Sequence, residues 1–262
     1  MLQKNFNTLR DSFDNNYDRS RLLAAACESS GKWIEALPAS SLGTLLDNDC
    51  LRIATALRLG LKICEKHFCL CGSVVEENGY HGLSCNCSAG RRSRHDDLND
   101  LIKRALTSAK IPAILEPIGT CREDGKRPDG MTLIPWSKGK ALVWDATCVD
   151  TYASCHLNRS FIAPGSAANE AEIRKINKYK SMQNDYIFIP VGVETSGTIG
   201  KEANSFLHSL GRKLNQATGE KRFSSFLLQR VSIAIQRGNA TSILATHPKS
   251  HDLDEIYSFL FK

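Results

Sequence analysis

The sequence predicts an α/β protein: a mixed central sheet flanked by helices, with a small metal-tied element and an N-terminal helical arm. Three observations carry that prediction. From residue 94 onward, hydrophobic periodicity switches repeatedly between the helical and strand periods. Residues 61–93 show neither period and are rich in Cys, Gly, His and Arg. Residues 1 to about 60 read as helical, with one loop between helices.

The chain has 262 residues, enough for one large domain with appendages and for a sizeable core. With 42% hydrophobic and 24% charged residues, wholesale disorder is excluded. The division expected along the chain is a helical arm at 1–60, a knuckle at 61–93, an α/β body at 94–247 and a C-terminal tail at 248–262. Leu22 to Ala26 give the arm its first apolar helix, before a Pro-Ala-Ser-Ser loop at 38–41. A second helix starts near Asp47, with Asn48 and Asp49 as capping candidates and Gly60 as its C-cap.

In the body, Leu98, Leu101, Ile102, Ala105, Leu106 and Ala109 mark one helix face. Ala113 to Ile118 reads as a short strand. Met131–Trp136 and Lys140–Val149 read as a hairpin around Ser137-Lys138-Gly139. A helix from Ser166 to about Met182, an apolar strand at Tyr186–Glu194 and two amphipathic helices follow, the second ending at Gly238.

The hairpin carries the first candidate chemistry. Asp145 lies in Ala-Leu-Val-Trp-Asp-Ala-Thr, a strand otherwise apolar on both faces, where a carboxylate needs a partner or a metal. With the turn near Lys138, Asp129 falls beside Ala146 and Thr147, within reach of the ion that Asp145 would hold. Two carboxylates suit Mg²⁺, or Mn²⁺ in its place. Glu116, ending the preceding strand, could supply a third. On the following helix Glu172, Lys175 and Lys178 or Tyr179 share a face, and Lys175 or Lys178 could orient an attacking water.

The second candidate is a zinc site. Cys69, Cys71, His81 and Cys85 offer three thiolates and an imidazole, with Cys64, His67 and Cys87 as spare ligands. The competing reading is free buried thiols. The basic stretch Arg91, Arg92, Arg94 and His95 then suits phosphate contacts, its competitor being a solvated linker.

Taken in order, these motifs resemble the restriction-like endonuclease domain that follows the reverse transcriptase in some non-LTR retrotransposons. The resemblance rests on Cys69, Cys71, His81 and Cys85, then Arg94-His95, Pro128-Asp129, Asp145, Lys175 and Lys178-Tyr179, and spans about residues 18–247. Gly125 to Gly130, Val193 to Thr195 and Leu228 to Asn239 also look like reverse-transcriptase-associated segments. It implies a PD-(D/E)XK nuclease core at 94–247, with the arm as a remnant of the link to the polymerase. The implied activity is Mg²⁺-dependent nicking of target DNA to expose a 3′ hydroxyl, with structural Zn²⁺. The implied partners are DNA and the element's own RNA. The signature's Lys two residues after the strand carboxylate is Thr147 here, so Lys175 or Lys178 has to serve instead. The alternative is a catalytically inactive, nuclease-derived zinc module that binds nucleic acid.

Net charge is +6, which permits an anionic partner without demanding one. No apolar run of transmembrane length and no signal-peptide pattern is present, so no membrane partner and an intracellular, nuclear location are expected.

Overall fold

In the computed structural model of the chain, residues 2–88, 90–118 and 127–247 are described, without the side chains of residues 2–5 and Arg91. Gly125, Lys126 and the tail at 248–262 lie outside the described residues.

The arm holds α1 (Leu2–Asp11), α2 (Asn16–Ala26) and α3 (Asn48–Leu59). Asp47, not Asn48 or Asp49, caps α3: its carboxylate accepts from the Cys50 amide at 2.7 Å. Gly60, at φ 74°, ends α3 in the left-handed conformation that favours glycine. The knuckle contributes a two-stranded ribbon, β1 (His67–Phe68) with β2 (Val74–Val75), and the single-turn helix α4 (Tyr80–Ser84).

The body follows as α5 (Gly90–Ser108), β3 (Ala113–Leu115), β4 (Gly130–Ser137), β5 (Lys140–Val149), α6 (Ser154–Ser160), α7 (Ser166–Lys178), β6 (Ile187–Glu194), α8 (Lys201–Thr218) and α9 (Phe223–Leu244). The mixed sheet has the order β3-β4-β5-β6, antiparallel except for the parallel β5–β6 pair. On one face Leu142, Trp144 and Ala146 of β5 join Leu98, Ile102 and Leu106 of α5 and Phe206, Leu207 and Leu210 of α8 in the main core. Asp145 alternates to the other face and meets α7. A second apolar cluster joins the arm, knuckle and body through Ile53 and Leu57 of α3, Leu83 of α4, Tyr152, and Ala240 and Ile243 of α9.

Four details differ from expectation. The hairpin turns on Lys138 and Gly139, both at positive φ, as a two-residue primed turn requires. Two register shifts between Met131 and Ser137 then slide the open end. Asp129 consequently sits against Trp144 and Ala146, donating its amide to the Trp144 carbonyl at 3.0 Å, rather than beside Thr147. Helix α7 stops at Lys178, short of Met182, and α6 fills part of the connection before it. Finally, α9 runs straight through Gly238. That glycine is a crossing point rather than a cap, since a Cβ there would lie 1.8 Å from Cγ of Arg94.

Candidate active site and metal centre

Asp145 is 2% exposed, and its charge is met from α7. Lys175 Nζ donates to Asp145 Oδ1, and Lys178 Nζ stands 3.6 Å from Oδ2. The two lysines lie one helical turn apart, which is why both reach the same carboxylate. A buried carboxylate in an apolar strand is tolerable only with such partners.

Asp129 is held from the other side. Its Oδ2 accepts from the Ala146 amide at 2.6 Å and lies 3.0 Å from His95 Nε2 on α5. Burial works to raise the Asp129 pKa, but His95, the Ala146 amide and Asn99 outweigh it and hold the carboxyl below its ordinary value. The same hydrogen bond pushes His95 up to about 8, against the opposing effect of burial. Asn99 sits behind this pair. Its Nδ2 lies 3.3 Å from His95 Nε2, while its Oδ1 accepts from Trp144 Nε1 at 2.9 Å. Asp129, one residue before β4, thus contacts both residues that flank Asp145 on β5.

Other predicted residues are used differently. Glu116 turns the chain at φ 48°, and its exposed carboxylate pairs with Arg127 at the surface. Only its backbone meets the site, donating to the Asp129 carbonyl at 2.8 Å. Glu172 is not a partner of the lysines. It is buried and accepts from the amides of Glu202 and Ala203, capping the start of α8. Arg92 is exposed, as a phosphate contact requires. The Arg91 side chain lies outside the described residues.

Arg94 requires a correction. It is 4% exposed and cannot reach a phosphate backbone. Its Nη1 donates to Asn239 Oδ1 at 2.9 Å and its Nη2 to the Leu83 carbonyl at 2.6 Å. Asn239 in turn donates to the Thr195 carbonyl at 2.7 Å. Arg94 therefore rivets α5 to the knuckle helix α4 and to α9.

The knuckle brings its four predicted ligands together. One ligand atom from each of Cys69, Cys71, His81 and Cys85 lies within 4.8 Å of all the others. Cys69 and Cys85 sulfurs are 3.7 Å apart, and Cys71 Sγ is 3.3 Å from His81 Nε2. A tetrahedral ion with bonds of about 2.3 Å to sulfur separates its sulfurs by roughly 3.8 Å, so this Cys₃His group could hold a structural metal such as zinc. Burial pushes the Cys69 thiol up to about 11, while hydrogen bonds with Ser73 hold Cys71 down to about 6. The spare ligands are occupied elsewhere or lie outside the group. His67 bonds the Glu65 carbonyl and Thr246, Cys64 faces the Glu76 carbonyl and Cys87 is exposed.

Compared with models of protein families and with curated proteins, the chain gives no match. The functional reading therefore rests on the site itself. Sequence reasoning missed Asn99, whose signal is its i, i+4 spacing from His95 on α5. It also missed the structural use of Arg94, whose partner Asn239 lies far along the chain. Among the described residues, no helix is long and apolar enough to cross a membrane.

Proposed function

We propose that this chain is a metal-dependent DNA endonuclease with a structural zinc knuckle, built on a restriction-like core related to non-LTR retrotransposon nucleases. The observation that carries the reading is the gathering of charged groups at β5: Asp129 is bonded to the Ala146 amide next to Asp145, and α7 brings Lys175 and Lys178 to Asp145. The order of α5, three strands, α7 and β6 supports the core assignment. Asp129 and Asp145 would hold Mg²⁺ or Mn²⁺. When bound, that ion supplies neutralisation of phosphate charge and a more acidic water.

The chain's own groups supply the rest. Lys175, a quarter exposed and paired with Asp145, would orient the water and stabilise charge on the phosphate. His95 fixes the Asp129 carboxylate, and exposed Arg92 would meet a backbone phosphate. Zinc at Cys69, Cys71, His81 and Cys85 would hold the knuckle closed. The product is nicked DNA with a free 3′ hydroxyl.

The test is conversion of supercoiled plasmid to open circles with Mg²⁺ or Mn²⁺. The parent should nick, and Asp145→Ala should abolish nicking with the fold intact by circular dichroism. A folded, zinc-loaded parent that leaves plasmid uncut refutes the nuclease reading. Thr147 in place of the signature lysine favours a second reading, a nucleic-acid-binding module without catalysis. DNA binding that survives Asp129→Ala and Asp145→Ala, with no cleavage by the parent, selects it.

A further inference from the structure

Helix α3 uses more than one of its sides. Ile53 and Leu57 face the cluster shared with α4 and α9. Leu51 and Thr55, one turn apart on another side, line an open groove of about 390 Å³ together with Ala56 and Leu61. Leu51 is 47% exposed and Leu61 54%, so the groove keeps apolar surface half in water. Arg52 and Lys62 stand on its rim. Their partners, Asp49 at 3.5 Å and Glu77 at 2.6 Å, are exposed carboxylates, and exposed pairs of this kind are exchanged at little cost.

The chain leaves the described fold close by. The ring of His247, the last described residue, lies 5.3 Å from that of His67, and His67 bonds Thr246 at 3.0 Å. Four positions before His67, the Ile63 carbonyl accepts from Arg52 of the groove at 2.9 Å. Those four steps span at most about 14 Å, and residues 248–252 can span about 17 Å, so the sequence that follows reaches the groove. That sequence has a pattern of its own. Leu253, Ile256, Tyr257 and Leu260 recur at the spacing of one helix face, and on the same helical wheel Asp252 and Asp254 border the apolar stripe on either side.

We propose that the groove beside α3 is the docking site of residues 253–260 of the same chain. Leu253, Ile256, Tyr257 and Leu260 fill it as one helix face, and Asp252 and Asp254 meet the basic rim at Arg52 and Lys62. An apolar stripe bordered by acids matches an apolar floor bordered by bases, the usual terms on which a helix lies in a groove. The docked segment clasps the arm to the knuckle, since the groove lies on α3 and the chain departs beside β1. Such docking is independent of whether the protein cuts DNA.

The experiment follows methyl signals and amide exchange in the full chain by NMR. The parent should show contacts between the Tyr257 ring and the methyls of Leu51 and Leu61. Ile256→Asp combined with Leu260→Asp should abolish those contacts and shift both leucine methyl signals. It should also speed amide exchange over 253–260 by about tenfold or more, while the amides of the sheet keep their parent rates. Lys62→Glu should speed the same exchange, and adding Asp252→Lys with Asp254→Lys should slow it again. Exchange over 253–260 at the rates of an unstructured peptide in the parent overturns the proposal. So do Tyr257 contacts with Phe68, Leu70 or Val74, another exposed apolar patch on the knuckle ribbon. Contacts found only between differently labelled copies in a mixed sample, and lost on dilution, give the groove to a second copy and overturn docking within one chain.

Discussion

Replacing Arg94 by alanine separates two accounts of one residue. As a phosphate contact it would matter to DNA and not to folding. As placed in the structure, it makes two charged hydrogen bonds, to Asn239 at 2.9 Å and to the Leu83 carbonyl at 2.6 Å. Each is worth about 1.5–3 kcal/mol, so the gross loss is about 3–6 kcal/mol. Against this, the substitution relieves a buried guanidinium whose Nε has no hydrogen-bond partner. A relief of about 1–2 kcal/mol leaves a net destabilisation of about 2–4 kcal/mol. At roughly 2–4 °C per kcal/mol for a chain of this size, the melting point should fall by about 5–15 °C. Urea denaturation of the zinc-loaded protein gives the stability, and DNA binding over a range of salt gives the charge term. Stability within about 0.5 kcal/mol of the parent, together with a salt slope reduced by about one, would refute the buried-rivet account and restore Arg94 to the DNA interface.

His95 should titrate near 8 in the metal-free protein by imidazole NMR, and Asp129→Asn should return it toward its ordinary value of 6.5. Because the folded pKa is the higher one, the stabilisation from this contact is complete below about 6.5 and is lost as pH rises through about 8. A His95 pKa that Asp129→Asn leaves unchanged would show that the pair is not coupled. Gly238→Ala should cost at least about 2 kcal/mol, because its Cβ would sit 1.8 Å from Arg94 Cγ in a close helix crossing. An alanine variant as stable as the parent would show that α5 and α9 can part freely.

The sheet was the most legible part of the fold. Alternating apolar residues along 131–149 and 186–194 mark strands whose backbones pair regularly, so pattern and structure agree. Both Asp145 and the four knuckle ligands were legible for a related reason. A carboxylate inside an apolar strand, and thiols with an imidazole at turn-rich spacing, are each costly or pointless without a partner. Register was less so. The shifts between Met131 and Ser137 depend on how the sheet packs, and they move Asp129 by a position without any local signal. Arg94 was misread because local sequence shows an arginine in a basic run and cannot show Asn239 arriving on α9. Gly238 was misread for the same reason: a glycine late in a helix looks like a cap until the element crossing it is known.

The positions of Arg94 and His95 link the knuckle to the carboxylates. Cys69 and Cys85 are buried together, and α4, which carries His81 and ends one residue before Cys85, presents the Leu83 carbonyl to Arg94. The next residue on α5, His95, holds Asp129. A metal held by the knuckle would therefore fix α4, α4 anchors the start of α5, and His95 of α5 holds the Asp129 carboxylate. Apparent zinc affinities of small structural sites are about 10–16 kcal/mol, as large as the whole stability of a typical domain at about 5–15 kcal/mol. Apart from its ligands the ribbon 67–75 is held by the His67–Thr246 bond at 3.0 Å and by buried Val75, whereas Leu83 keeps its place in the cluster with Ile53 and Ile243. Stripping zinc should then open the ribbon and loosen Arg94 without unfolding the sheet. The expected result is a His95 resonance broadened or shifted from its zinc-loaded position, and nicking reduced at least about tenfold at saturating Mg²⁺. Both should return when zinc is added back. A protein shown to be zinc-free by elemental analysis that keeps its His95 signal and its nicking rate would break the chain of contacts at Leu83.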